Sequence, residues 1–371
     1  MKSCFLVTLF ILFTTVVSAQ ADTTSKKDTT KTKNFRIAGY PTASFSTETS
    51  WAVGGYVATT FRLKGQGLET TPSQVSFTGQ YTGLRQIILY LPFQFFSKND
   101  DFLLKGELGY FSYFYRFFGV GNELPLTNDE FYKVNFPRVR LYPLKRINKT
   151  TLIGANYAYD GFDIVEIDSN GLLAKDSLVG SNGGILSGIG PSFRYDSRDN
   201  FYFPTKGLYF DFNATFHAPL LGATFNYGKI EYDVATYVED KVKNVWAFNY
   251  YGGFNTGIPP LNDMMELGGS RRSRGIFRGR YRDRVIQVVQ AEYRYDIWWR
   301  FGGVAFASYG GVGSSFGKLQ LNNFKFNYGV GLRYAIDPAA KINLRLDVAG
   351  FDYAPSGKWL PGIYVVLGEA F

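Results

Sequence analysis

The chain has 371 residues, a formal net charge of +9, one histidine and one cysteine. A lone cysteine excludes a disulfide framework, and cysteine pairs and histidine clusters of the kind that bind transition metals are absent. Tyrosine (27) and phenylalanine (35) lift the aromatic share to 18%, which suits the aromatic girdles of a membrane barrel better than a soluble domain.

In chain order, Lys2, the apolar run Phe5 to Val17 and the small-residue site Val17-Ser18-Ala19 predict a cleaved signal peptide over residues 1–19. Cys4 leaves with it, so the mature chain has no thiol nucleophile. Export makes nucleic acid a poor partner for the positive charge and leaves anionic lipid as the better one. Residues 20–34 are mostly threonine, lysine and aspartate and cannot bury a core, so they read as a disordered periplasmic leader.

From Phe35 onward the pattern changes to alternation. Ile342, Leu344, Leu346 and Val348 interleave with Lys341, Asn343, Arg345 and Asp347. Phe324, Phe326, Tyr328, Val330, Leu332 and Tyr334 interleave with Lys325, Asn327, Gly329, Gly331 and Arg333. A period of two sends each set to its own face, apolar to lipid and polar to a wet interior. The segments 35–47, 52–63, 73–82, 85–96, 102–115, 131–143, 150–166, 184–196, 207–217, 224–238, 245–256, 285–297, 301–312, 324–336, 341–351 and 361–371 read as strands. The expected fold is all-β: a transmembrane antiparallel β-barrel of about 16 strands over residues 35–371. Such a chain belongs in the bacterial outer membrane.

Leu261 to Arg284, between the eleventh and twelfth strands, carries seven arginines against Asp263, Glu266 and Asp283. Clustered guanidinium groups repel one another, so this connector needs carboxylates elsewhere to hold it. With the N-terminus periplasmic it is the sixth extracellular loop. The alternative for its basic members Arg271, Arg272, Arg278, Arg280 and Arg282 is that they meet anionic lipopolysaccharide outside, and the two roles can coexist. Enzymatic readings are poor. His217 stands alone at a strand end, no Gly-x-Ser-x-Gly elbow occurs, and Asp196 with Asp199 suits a self-bonded turn better than a carboxylate dyad. No cofactor is implied.

Four places resemble the barrel domain of the BamA/TamA family, the bacterial surface-antigen superfamily. These are Arg274-Gly275 in the sixth loop and Glu292 within Gln290-Ala291-Glu292-Tyr293-Arg294. Arg194-Tyr195-Asp196-Ser197-Arg198-Asp199-Asn200, with Pro204-Thr205-Lys206-Gly207, is the third. Pro41-Thr42-Ala43-Ser44-Phe45-Ser46-Thr47-Glu48-Thr49 is the fourth. The resemblance implies that the long loop folds into the lumen, with Arg274 against Glu292. Removing one partner of such a buried pair costs about 3–5 kcal/mol. It also implies a plug bracing strands eleven to thirteen, and a weak seam between first and last strands as the route for client strands. Gly362, Gly368, Pro41 and Pro361 weaken pairing near that seam.

The sequence departs from the family where a second inward acid is usual and Ser308 stands instead, and Ile276 precedes Phe277 where an aromatic follows Arg-Gly. No room precedes Phe35 for folded periplasmic receiving repeats. The terminal Phe371 matches an assembly signal. The expected function is assistance in inserting or exporting proteins or lipids, together with periplasmic or lipoprotein partners; the alternative is a passive pore or structural barrel.

Overall fold

A computed structural model describes residues 35–371 except 47, 68–69, 126, 176–177, 243, 339–340 and 351–361. The expected signal peptide and leader, and Pro361, lie outside the described residues.

Sixteen strands close into one antiparallel barrel. The first half comprises β1 (Phe35–Ser46), β2 (Ser50–Phe61), β3 (Ser73–Thr82), β4 (Ile87–Phe96), β5 (Phe102–Phe117), β6 (Glu130–Arg146), β7 (Thr151–Glu166) and β8 (Gly184–Asp196). There follow β9 (Gly207–His217), β10 (Tyr227–Glu239) and β11 (Val245–Gly257). Two short strands, β12 (Met265–Leu267) and β13 (Tyr281–Asp283), pair only with each other, inside the arginine-rich connector. The barrel resumes with β14 (Val285–Trp298), β15 (Phe301–Gly313), β16 (Lys325–Asp337), β17 (Ile342–Ala349) and β18 (Gly362–Leu367). β11 pairs directly with β14, so the connector leaves and rejoins the wall at neighbouring strands.

The two-residue period sets the faces. On β16, Phe326, Tyr328 and Val330 are exposed, whereas Asn327 and Arg333 are buried. On β17, Leu346 and Val348 are exposed and Arg345 and Asp347 buried. Charged side chains therefore face inward and apolar ones outward, the arrangement that lipid outside demands. Trp298, Trp299, Phe301 and Tyr334 cluster at one end of the outer face, where amphipathic rings suit a membrane interface.

Closure is uneven. β1 pairs with β2 along its whole length, from Phe35↔Phe61 to Ser46↔Ser50. Towards β18 its register rests, among the described residues, on Phe45↔Val365 alone. Pro41 sits opposite Gly55 in β1, and Gly362 opposite Ala349 in β18.

The last strand departs from the expected span 361–371, because pairing stops at Leu367 and Gly368 turns the chain at φ 83°. Glu369 then accepts hydrogen bonds from Arg333 (2.7 Å) and Asn343 (3.1 Å). Phe371 packs beside Ala235, Tyr237, Val245 and Ala247 on the inner face. It is therefore no strand-end side chain at the lipid interface.

Candidate functional site

The connector between β11 and β14 is built from its own glycines and a three-residue ladder. β12 and β13 bring Glu266 opposite Arg282. Between them, Gly269 N–H donates to Ile276 O at 3.0 Å and Ile276 N–H to Ser273 O at 3.1 Å, tightening the tip around Arg274. Gly275 holds φ 104°, and a Cβ there would collide with the carbonyl oxygen of Gly350. Only glycine allows this approach without strain. Ile276 is buried with Tyr251, Ile286, Val288 and Val312, while Phe277 meets Phe118 edge-on at 5.9 Å. The branched residue after Arg-Gly is thus an apolar anchor, with the aromatic one place later making a separate contact.

Arg274 is 2% exposed and bridges two carboxylates. Its Nη2 donates to Glu292 on β14 and its Nη1 to Asp347 on β17, the latter at 2.6 Å. The Phe306 ring of β15 lies under the guanidinium at 3.6 Å, a cation–π contact in a dry setting. Ser308 is buried one register step away, opposite Gln290 and Asn327. The second partner is therefore Asp347, and Ser308, which stands where the resemblance puts a second acid, is corrected as a member of the lock. Sequence reasoning placed Asp347 on the inward polar face but had no means to bring β17 to the sixth connector.

The acids belong to a wider buried network. Glu292 also accepts from Arg294 (2.8 Å), and Asp347 from Arg333 (2.6 Å) with Arg345 at 3.5 Å. Glu369 completes the set through Arg333. Arg294 pairs with Glu292 and donates to the Phe371 oxygen at 2.9 Å, and Arg333 and Arg345 pair with Asp347, so each acid that holds Arg274 has a further guanidinium partner. That is unlike an isolated pair, in which one charge is stranded when the other leaves.

The remaining arginines are held separately. Arg271 donates to Ala370 O (3.2 Å), and Arg272 pairs with Asp233 of β10 (2.9 Å) over the Tyr251 ring. Arg278 and Arg282 share Glu266, at 3.1 and 3.4 Å. Burial pushes the Glu266 carboxyl up, but Arg282 and Arg278 outweigh it and the net shift is down. Arg280 is fully buried and donates to the carbonyls of Leu124 and Pro125, each at 3.2 Å. Arg282 also donates to the carbonyl of Arg116 at 3.1 Å. Of these five, Arg271 and Arg278 are the exposed ones.

The expected brace over strands eleven to thirteen is also too narrow. Gly275 N–H donates to the Tyr364 hydroxyl of β18 at 3.2 Å, and Arg278 N–H to Glu48 at 3.4 Å in the β1–β2 turn. The connector thus touches both flanks of the β1–β18 closure.

The hairpin between β8 and β9 is self-bonded. Asp196 takes Arg198 through two hydrogen bonds of 2.9 and 2.7 Å. Asp199 accepts from Thr205 N–H (2.8 Å), the Thr205 hydroxyl (2.9 Å) and Lys206 N–H (3.1 Å). Asn200 caps Tyr202 and Phe203, Pro204 is buried, and Gly207 resumes the sheet at φ 111°. Lys341 approaches Asp199 at 3.6 Å. His217 stacks on Tyr227 with ring centroids 4.5 Å apart, an interior aromatic contact.

The Omp85 superfamily domain matches residues 71–371. This chain belongs to the Omp85 superfamily. Two solved barrels resemble it. BamA from Haemophilus ducreyi lacking POTRA domains 1-3 superposes with TM-score 0.61 at 12% identity, covering 90% of this chain and 70% of that one. CdiB from Acinetobacter baumannii gives 0.57 at 14%, covering 89% and 59%. The chain thus spans under two thirds of CdiB, and at these identities the likeness concerns the fold. No curated protein sequence matches significantly. Membership places the barrel in the outer membrane, in a superfamily of protein-insertion and secretion barrels.

Proposed function

We propose that this Omp85 barrel assists the insertion or export of proteins at the outer membrane, with partner proteins that deliver the clients. The connector acts as a plug in the lumen, and the β1–β18 closure is the site of opening. One observation carries this reading: among the described residues the closure has a single register pair, and the connector contacts Tyr364 on one side of it and Glu48 on the other. An edge so sparsely paired exposes backbone donors and acceptors to another strand. The arginine at the connector tip is held by acids that each keep another guanidinium partner without it, which favours release over permanent locking.

The test is a crosslink across the closure. Phe45→Cys with Val365→Cys places two thiols at directly paired positions, within reach of a disulfide. The sole native cysteine, Cys4, lies in the expected signal peptide. Depletion of the protein is expected to lower the level of other outer-membrane proteins. The oxidised double variant should fail to restore them and the reduced one should succeed. Full rescue by the crosslinked barrel overturns the reading.

A further inference from the structure

On the outer face, a row of paired residues runs Tyr232, Gly252, Gln287, Gly311 across β10, β11, β14 and β15. Two of the four lack side chains, which lets the Tyr232 and Phe324 rings lie down over the backbone on either side of Gln287. At Gly252 a Cβ would strike the Tyr232 phenol, and at Gly311 it would stand 2.6 Å from the Phe324 ring. The connector after β15 folds down over this row. Phe316 packs edge-on to Phe254 at 5.2 Å, and the Tyr309 hydroxyl donates to the Leu321 carbonyl. The result is a pocket of about 410 Å³, within the roughly 300–1,000 Å³ range of ligand sites.

Its chemistry is unusual for a lipid-facing wall. Val289, Leu319 and Leu321 make it apolar, yet Gln287 lies among phenols. The Tyr250 hydroxyl donates to Gln287 Oε1, and Gln287 Nε2 donates to Tyr232 at 2.8 Å. An amide nitrogen carries two protons and each phenol oxygen can also accept, so this trio retains capacity for one more hydroxyl. Gln287 lies two residues inside β14, about 7 Å from its end along the strand, on the side that bears the long connectors. An exposed lysine, Lys318, sits on the roofing segment.

We infer that this pocket binds a hydroxylated acyl chain of an outer-leaflet lipopolysaccharide, with the chain hydroxyl on the Gln287–tyrosine trio. Lipid covers this face in an outer-membrane barrel. A phospholipid chain has no hydroxyl below its ester, so it would fill the pocket but leave the trio unmatched. A polar group matched inside an apolar pocket discriminates more strongly than added methylenes do.

Native mass spectrometry of the detergent-purified barrel tests this, with purified lipid A and phosphatidylethanolamine as probes. The wild type should hold one lipid A at least tenfold more tightly than phosphatidylethanolamine. Val289→Trp, which fills the pocket from a lipid-facing position, should abolish that adduct. Gln287→Leu should erase the preference between the two lipids while leaving binding of phosphatidylethanolamine unchanged. Heat-modifiable gel migration reports the folding of each variant, and Gln287→Leu alone decides if Val289→Trp does not fold. Equal binding of both lipids by the wild type, an adduct that survives Val289→Trp, no adduct at all, or a protein dimer in its place overturns the assignment.

Discussion

Asp347 Oδ2 accepts a hydrogen bond from Arg274 Nη1 at 2.6 Å, joining positions 73 residues apart. The contact brings the connector tip to β17, beside the barrel closure, and makes one carboxylate the meeting point of Arg274, Arg333 and Arg345.

That arrangement ranks two substitutions. Arg274→Ala removes charged hydrogen bonds but leaves each acid another guanidinium partner, so its cost should be near one such interaction, about 1.5–3 kcal/mol. Asp347→Asn leaves buried guanidiniums in excess and should cost about 3–5 kcal/mol. Heat resistance of the folded barrel on unboiled gels should therefore fall further for Asp347→Asn. The reverse order would refute the sharing of these acids among several guanidiniums.

Ser308→Ala should change that heat resistance little, by about 1 kcal/mol or less. A loss as large as that of Arg274→Ala would restore the hydroxyl as a partner of the connector.

Gly275→Ala combines a left-handed backbone angle with a collision at Gly350. The expected cost is about 1–3 kcal/mol, read as faster proteolysis of the connector while the strands stay protected. Unchanged cleavage would show that the tip is not seated against Gly350.

The β8–β9 hairpin carries a pH dependence. Burial raises the Asp199 carboxyl, but bonds from Thr205 and Lys206 outweigh it and hold it below the ordinary value. Its folded value thus lies under that of the unfolded chain, about 3.9. The stabilisation is complete above that value and is lost as pH falls through the folded one. Amide exchange at Thr205 and Lys206 should accelerate in that acid window, and Asp199→Asn should show the faster rate already at neutral pH. A flat profile would remove the carboxylate from the turn's support.

Much of the barrel could be read from alternation, because each lipid-facing residue meets the same apolar surroundings wherever its strand lies in the chain. Val330 and Leu346 needed no knowledge of their neighbours to be assigned outward. The positions that escaped depend on partners far along the chain. Asp347 stood in the inward set, but only the closed circle of strands carries β17 to the connector. β12 and β13 are three residues each, too short to show a period. Leu367 ends its strand because Gly368 turns the chain towards Arg333, an interaction that alternation cannot report. The Asp199 turn was legible because its bonds are local.

Glu48 and Tyr364 stand on opposite jambs of the closure, and the same short stretch of connector holds both through backbone amides. Each bond tolerates only a few tenths of an ångström of stretch before it fails. If the first and last strands part as proposed, the connector drops at least one jamb first, and whatever lifts Arg274 from its acids would then set the moment of parting.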